Sequence, residues 1–115
     1  MNENSKSIGI VSRWTDNFSY SVEVPAGTVP AMLSNAWAKT NRDDRPLGNK
    51  VCSTSIGDLL IVDGRHFIVE PFGFTEVSAA DAEAWKLVPE RDAHFGFTDA
   101  VESGVFSGKA LSRVE

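Results

Sequence analysis

Few side chains in this sequence have the types and spacing to do chemistry: one cysteine, Cys52, two histidines, His66 and His94, and one adjacent carboxylate pair, Asp43-Asp44. A thiolate nucleophile needs a positioned base, and VCSTS around Cys52 offers neither nucleophile-elbow glycines nor a partner at a recognisable spacing. Cys52 therefore reads as a small buried thiol leading into a strand. Zinc sites announce themselves by closely spaced Cys and His pairs, and the sequence has none. His66 reads as a core or edge residue beside Ile61, and His94 as a solvated loop residue. General acid and base work needs a carboxyl dry enough to hold a proton, whereas Arg42 and Arg45 flank Asp43-Asp44 and favour the ionised form. That loop reads as self-neutralising, with a binding role open to it because functional residues gather on loops. Neither GxxxxGK[ST] nor GxGxxG occurs, and basic residues do not interleave with aromatics as a nucleic-acid platform would. The expectation is a non-enzyme with no catalytic residue, no cofactor and no metal.

Charge is the stronger signal. The net charge is -5, yet residues 1 to 69 hold seven acids and seven bases, so the imbalance lies further on. Residues 70 to 102 carry eight acids (Glu70, Glu76, Asp81, Glu83, Glu90, Asp92, Asp99, Glu102) against Lys86 and Arg91. Such a field repels nucleic acid and attracts basic partners. With 115 residues the chain fits one domain, 1-115, whose ends (1-6 and 105-115) are expected to fray. No run reaches the roughly 18 apolar residues of a membrane span. MNENSKS lacks the features of a signal peptide, and a lone cysteine agrees with a reducing compartment, so the expected location is the cytoplasm.

The elements that would position these groups follow from periodicity. IGIVSRWTDNFSYSVEV, residues 8 to 24, reads as a hairpin turning at Asp16-Asn17, with Val11, Phe18, Tyr20, Val22 and Val24 on one face and Ser12, Ser19, Ser21 and Glu23 on the other. Trp14 falls on the serine-rich face, where an exposed tryptophan would be an interface anchor. Val29, Met32, Leu33, Ala36 and Trp37 form the stripe of a helix over residues 29 to 39, capped by Thr28 with Pro30 in the first turn. TNRDDRPLGNK, residues 40 to 50, is an exposed loop. In SIGDLLIVDGRHFIVEPFGFTEV, residues 55 to 77, Asp63-Gly64 signals a type I′ hairpin. Its pairing puts Leu60, Val62, Phe67 and Val69 on one face and Leu59, Ile61, His66 and Ile68 on the other. Both faces are apolar, so this hairpin should be central or covered on two sides.

Pro71 and Gly73 should then make a corner that turns Phe72 and Phe74 inward. Ser78 can cap a second helix, residues 79 to 88, with Ala80, Ala84, Leu87 and Val88 on its apolar side, Trp85 packing towards the sheet, and Pro89 as its stop. Beyond it, His94-Phe95-Gly96-Phe97-Thr98-Asp99 echoes Phe72-Gly73-Phe74-Thr75-Glu76. Five residues are far too few for a repeat architecture, and the echo reads as coincidence or local reuse of a corner. Thr98 can cap a short helical turn ending at Gly104, and residues 105 to 115 read as a weak edge strand or tail. The predicted fold class is α+β: an antiparallel sheet of four to five strands with two helices packed on one face.

The run STSIGDLLIVDGRHFIVEPFGFTEV resembles the YodL-like domain and related small proteins of phages, plasmids and conjugative elements. The residues that carry the resemblance are the Ser-rich lead Ser53 to Ser55, the strand start Ile56-Gly57-Asp58-Leu59, and Phe72-Gly73-Phe74 before Glu76, with AWAKTNRDDRP upstream at residues 36 to 46. It spans about residues 33 to 77 and implies a mobile-element origin, hence a host bacterial cytoplasm, but lends no catalytic residue. Joined to the acid excess, it yields the leading expectation of an anti-CRISPR-like inhibitor that binds a basic, nucleic-acid-binding surface of a host defence protein. Asp81, Glu83, Glu90 and Asp92 are the expected charge contacts, with Trp14 and the loop Arg42, Asp43, Asp44 and Arg45 as a second contact region. The alternative is a structural or accessory phage module that self-associates, as a homodimer through the first hairpin, or binds another phage protein. An enzyme built around His66, Cys52 or Asp43 is the third reading.

Overall fold

A computed structural model describes residues 4–42, 47, 50 and 52–114. The first hairpin pairs β1 (Ser5–Ser12) with β2 (Phe18–Pro25), antiparallel, with Ser12 opposite Phe18 and Ile8 opposite Val22. Its connection is longer than a two-residue turn. Arg13–Thr15 wind into a 3-10 turn, and Asp16 and Asn17, both left-handed at φ 52° and 59°, complete it. A turn at Asp16-Asn17 alone would set Thr15 against Phe18, so the pairing has slipped by three residues. An odd slip exchanges faces. Ile8 and Ile10 thus join Val22 and Val24 in one core, while Val11 points into the other. The residues expected on the wet side of β2, Ser19, Ser21 and Glu23, are exposed, but Ser12 is buried and Phe18 is exposed.

Helix α1 (Val29–Lys39) has the expected bounds, and the Thr28 hydroxyl accepts the Ala31 N–H. Met32, Leu33 and Ala36 are buried, whereas Trp37 lies at the rim of the stripe, 44% exposed. Strands β3 (Leu59–Val62) and β4 (Arg65–Val69) join through Asp63 and Gly64 at φ 49° and 77°, the positive pair a type I′ turn requires. Leu60 faces Phe67 and Leu59 faces Ile68 across this hairpin. The sheet continues through β5 (Phe74–Val77) to a short edge strand, β6 (Ser112–Val114), giving six strands in the order β2-β1-β3-β4-β5-β6. All five pairings are antiparallel. The fold is α+β, with one strand more than the upper expectation: β5, which follows the Gly73 corner.

The helices do not share a face. Helix α1 covers Leu60, Val62, Phe67 and Val69, and α2 (Ala79–Trp85), α3 (Glu90–Ala93) and α4 (Phe97–Glu102) cover Leu59, Ile68, Val11 and Val77. This two-sided cover is why both faces of the β3–β4 hairpin are apolar. Helix α2 is capped at Ser78 as expected but ends three residues early and is rotated. Ala82, Trp85 and Val88 face the core, while Ala80, Ala84 and Leu87 face out. Trp85 decides this. Its indole contacts Phe97 and Phe106, and its Nε1 donates to the Gly57 carbonyl at 2.7 Å, so the largest apolar surface and its one polar atom are satisfied together.

Candidate protein-binding surface

Among the described residues three charged side chains are buried, and each is spent on holding segments together. Asp58 accepts the Arg13 N–H at 2.8 Å on one carboxylate oxygen and the Ser55 N–H at 2.9 Å on the other, tying the first turn to the start of β3. Its burial pushes the carboxyl up to about 6 from 3.8, against the pull of those N–H groups and of Arg13. Arg13 donates to the Trp85 carbonyl at 2.8 Å, to the Val88 carbonyl, and to Asn17 Oδ1 at 2.7 Å. Burial lowers its pKa, opposed by Asp58 and Glu90. It caps the C-terminal end of α2, where orphan carbonyls collect. The sequence offered no local sign of this role, because Arg13 and its carbonyl partners lie more than seventy residues apart.

The third buried charge, Glu70, organises the surface of most interest. Its Oε2 accepts the Thr75 hydroxyl at 2.5 Å, the Thr98 hydroxyl at 2.6 Å and the Thr98 N–H at 3.2 Å, and Arg113 Nη1 lies 3.6 Å away. Thr75 and Thr98 are the equivalent threonines of the two echoing segments, so the echo is structural. In each, the glycine has positive φ, 78° at Gly73 and 97° at Gly96. The second phenylalanine of each, Phe74 or Phe97, is buried, and the first, Phe72 or Phe95, is 80% or 55% exposed. A Cβ on Gly96 would collide with the Glu70 carboxylate. The corner thus turns one phenylalanine in and presents the other, instead of burying both. The chain direction reverses at Gly73, where the Gly73 carbonyl accepts the Glu70 N–H, and Phe72 is left at the tip.

The two presented rings line one groove of about 290 Å³, together with Thr98, Asp99, Glu102 and Arg113. Arg113 is held within it, donating to the Phe72 carbonyl at 2.9 Å and to Thr98 Oγ1 at 3.1 Å. Asp99 and Glu102 project from α4, exposed. On the α1 side of the same corner a larger cavity of about 470 Å³ is lined by Trp37, Thr54, Ile56, Pro71 and Phe74, and Glu70 borders both. Among the described residues no group of three or more His, Cys, Asp or Glu could hold a metal ion, and no helix is long and apolar enough to cross a membrane.

The residues singled out from the sequence are dispersed. Trp14 is half-buried, its ring 6.1 Å from that of His94, so it joins the first turn to the loop before α4 and is not an open anchor. His94 is exposed and stacks on Phe95 at 3.9 Å. Asp81 accepts the Lys109 N–H at 3.0 Å, and Glu83 pairs with Lys86 at 2.8 Å, which lowers its pKa. Glu90 and Asp92 sit in α3, both partly buried, with Asp92 3.8 Å from Arg91. Arg42 is exposed past the end of α1, and Asp43, Asp44 and Arg45 lie outside the described residues. Cys52 is exposed instead of buried; its N–H donates to Thr15 Oγ1 at 3.0 Å, which holds it at the rim of the first turn. The groove residues Phe72, Phe95, Asp99 and Glu102 were missed as a group, although the echo was the signal that could have found them.

No family model, curated protein or solved structure matches this chain.

Proposed function

We propose that this protein is a non-enzymatic binding protein that docks on a basic surface of a partner. The observation that carries this reading is the placement of the acid excess: on the side of the sheet covered by α2 to α4, Glu83, Asp99 and Glu102 are exposed and Glu90 and Asp92 are partly exposed. Complementary fields of this kind steer association and select partners more than they add raw affinity. The non-enzymatic part is supported by the buried charges, since Arg13, Asp58 and Glu70 are each occupied by structural hydrogen bonds. The partner class is a nucleic-acid-binding host defence protein, such as a CRISPR effector, with which the acidic face competes against nucleic acid. That narrower statement rests on the resemblance of residues 33 to 77 to mobile-element proteins.

The test is a pull-down of the tagged protein from a lysate of a bacterium with its defence systems intact, at low and at high salt. One dominant host partner that is released at high salt and displaced by nucleic acid is the expected result. Recovery of the protein alone, or binding unaffected by Asp99→Asn with Glu102→Gln and by neutralising Glu90 and Asp92, overturns the charge-based reading.

A further inference from the structure

We infer that the groove between the two glycine corners is the recognition site itself, and that it takes an extended basic peptide segment bearing an arginine. This rests on the binding-protein reading and names the feature of the partner that is recognised. Three observations converge. Phe72 and Phe95 are 80% and 55% exposed and line one groove, although each belongs to a corner whose other phenylalanine is buried. Exposed rings in such positions offer faces to a guanidinium and apolar surface to its methylene stem.

The second observation is charge. No described residue forms an ion pair or side-chain hydrogen bond with Asp99 or Glu102, so both exposed carboxylates of the lining remain available to a ligand's cation. The cation already present does not satisfy them: Arg113 is directed to Glu70, the Thr98 hydroxyl and the Phe72 carbonyl. With Glu70, Asp99 and Glu102 set against Arg113, the groove retains two net negative charges. An acidic segment is therefore repelled and a basic one attracted.

The third is rigidity. Both corners are anchored to the same buried carboxylate, through Thr75 at 2.5 Å and Thr98 at 2.6 Å, so the two rings are held in fixed relation before any ligand arrives. Preorganisation of this kind lowers the ordering cost of binding.

The experiment is a titration of ¹⁵N-labelled protein with a capped peptide carrying two arginines around a leucine, beside its glutamate counterpart. Saturable shifts at the amides of Phe72, Phe95, Asp99 and Glu102, seen with the arginine peptide alone, are expected. Phe72→Ala with Phe95→Ala, both changes at exposed side chains, should weaken binding at least about fivefold. Asp99→Asn with Glu102→Gln should remove most of its salt dependence. Four outcomes overturn the inference: no saturable shift at the groove, equal response to the glutamate peptide, unchanged affinity in the phenylalanine double variant, or shifts that depend on protein concentration without peptide, which would make the occupant a second copy of this chain. Shifts confined to Glu83, Glu90 and Asp92 would overturn the groove while leaving the basic-surface reading intact.

Discussion

At the scale of single residues, Asp58 and Arg13 carry the sharpest expectations. Asp58 is fully buried with its pKa pushed up to about 6, so the folded protein holds that proton over a range where an unfolded chain, near 3.8, has released it. The folded state binds more protons between about pH 4 and pH 6, and linkage then requires stability to fall as pH rises through that window, by about 3 kcal/mol in all. Urea unfolding across the window should show the decline, and Asp58→Asn should flatten it; an unchanged slope would show that another group is responsible. Arg13 acts through the carbonyls it satisfies. Arg13→Ala leaves the Val88 carbonyl without its donor and the Trp85 carbonyl with only the Val88 N–H, and should cost about 2 to 4 kcal/mol. Arg13→Lys should recover only part of that, because an ammonium cannot span both acceptors as the planar fork does.

At the scale of elements, what the sequence revealed and what it hid divide by range of interaction. The bounds of α1, the Asp63-Gly64 turn and the two-faced apolar pattern of β3 and β4 are local, and each followed from spacing and turn chemistry. The misread features are set at long range. The first turn lengthens because Arg13 is drawn to Asp58 and to the end of α2, and α2 rotates because Trp85 must reach Gly57. No periodicity within either segment encodes those partners. The groove is an intermediate case: the two corners were visible as an echo, but their meeting at Glu70 depends on how α4 docks beside β5. Glu70→Gln tests that junction. Every neighbouring group donates to the carboxylate, so an amide nitrogen in its place faces a donor, at a cost of about 1 to 3 kcal/mol. Loss of stability should be accompanied by chemical-shift changes at both Phe72 and Phe95; a change at one corner alone would refute their coupling.

At the scale of the whole molecule, the two ends of the sheet decide between a protein that binds others and one that binds itself. Long, open edge strands invite pairing with another copy, and β2, eight residues at one end of the sheet, is the candidate. That edge is blunted. Lys39, in the last turn of α1, donates to the backbone carbonyl of Glu23 at 2.8 Å, and Glu23, Asn35, Lys39 and Arg42 line the crevice between α1 and the strand. Pro25 closes the end of β2, and a residue without an N–H cannot extend a ladder. At the opposite end β6 is only three residues long and carries Arg113, already directed inward to Thr98 and Phe72. With both edges guarded, sedimentation velocity should show a monomer from micromolar to near-millimolar concentration. Lys39→Ala removes the guard on Glu23 and should introduce a dimer whose fraction grows with concentration. A wild-type dimer would instead favour the self-associating module, and a monomeric Lys39→Ala variant would show that the lysine is not what keeps the edge unpaired. In the expected case the acidic face remains free for a different molecule, because the fold has closed the routes by which the sheet could be completed by its own kind.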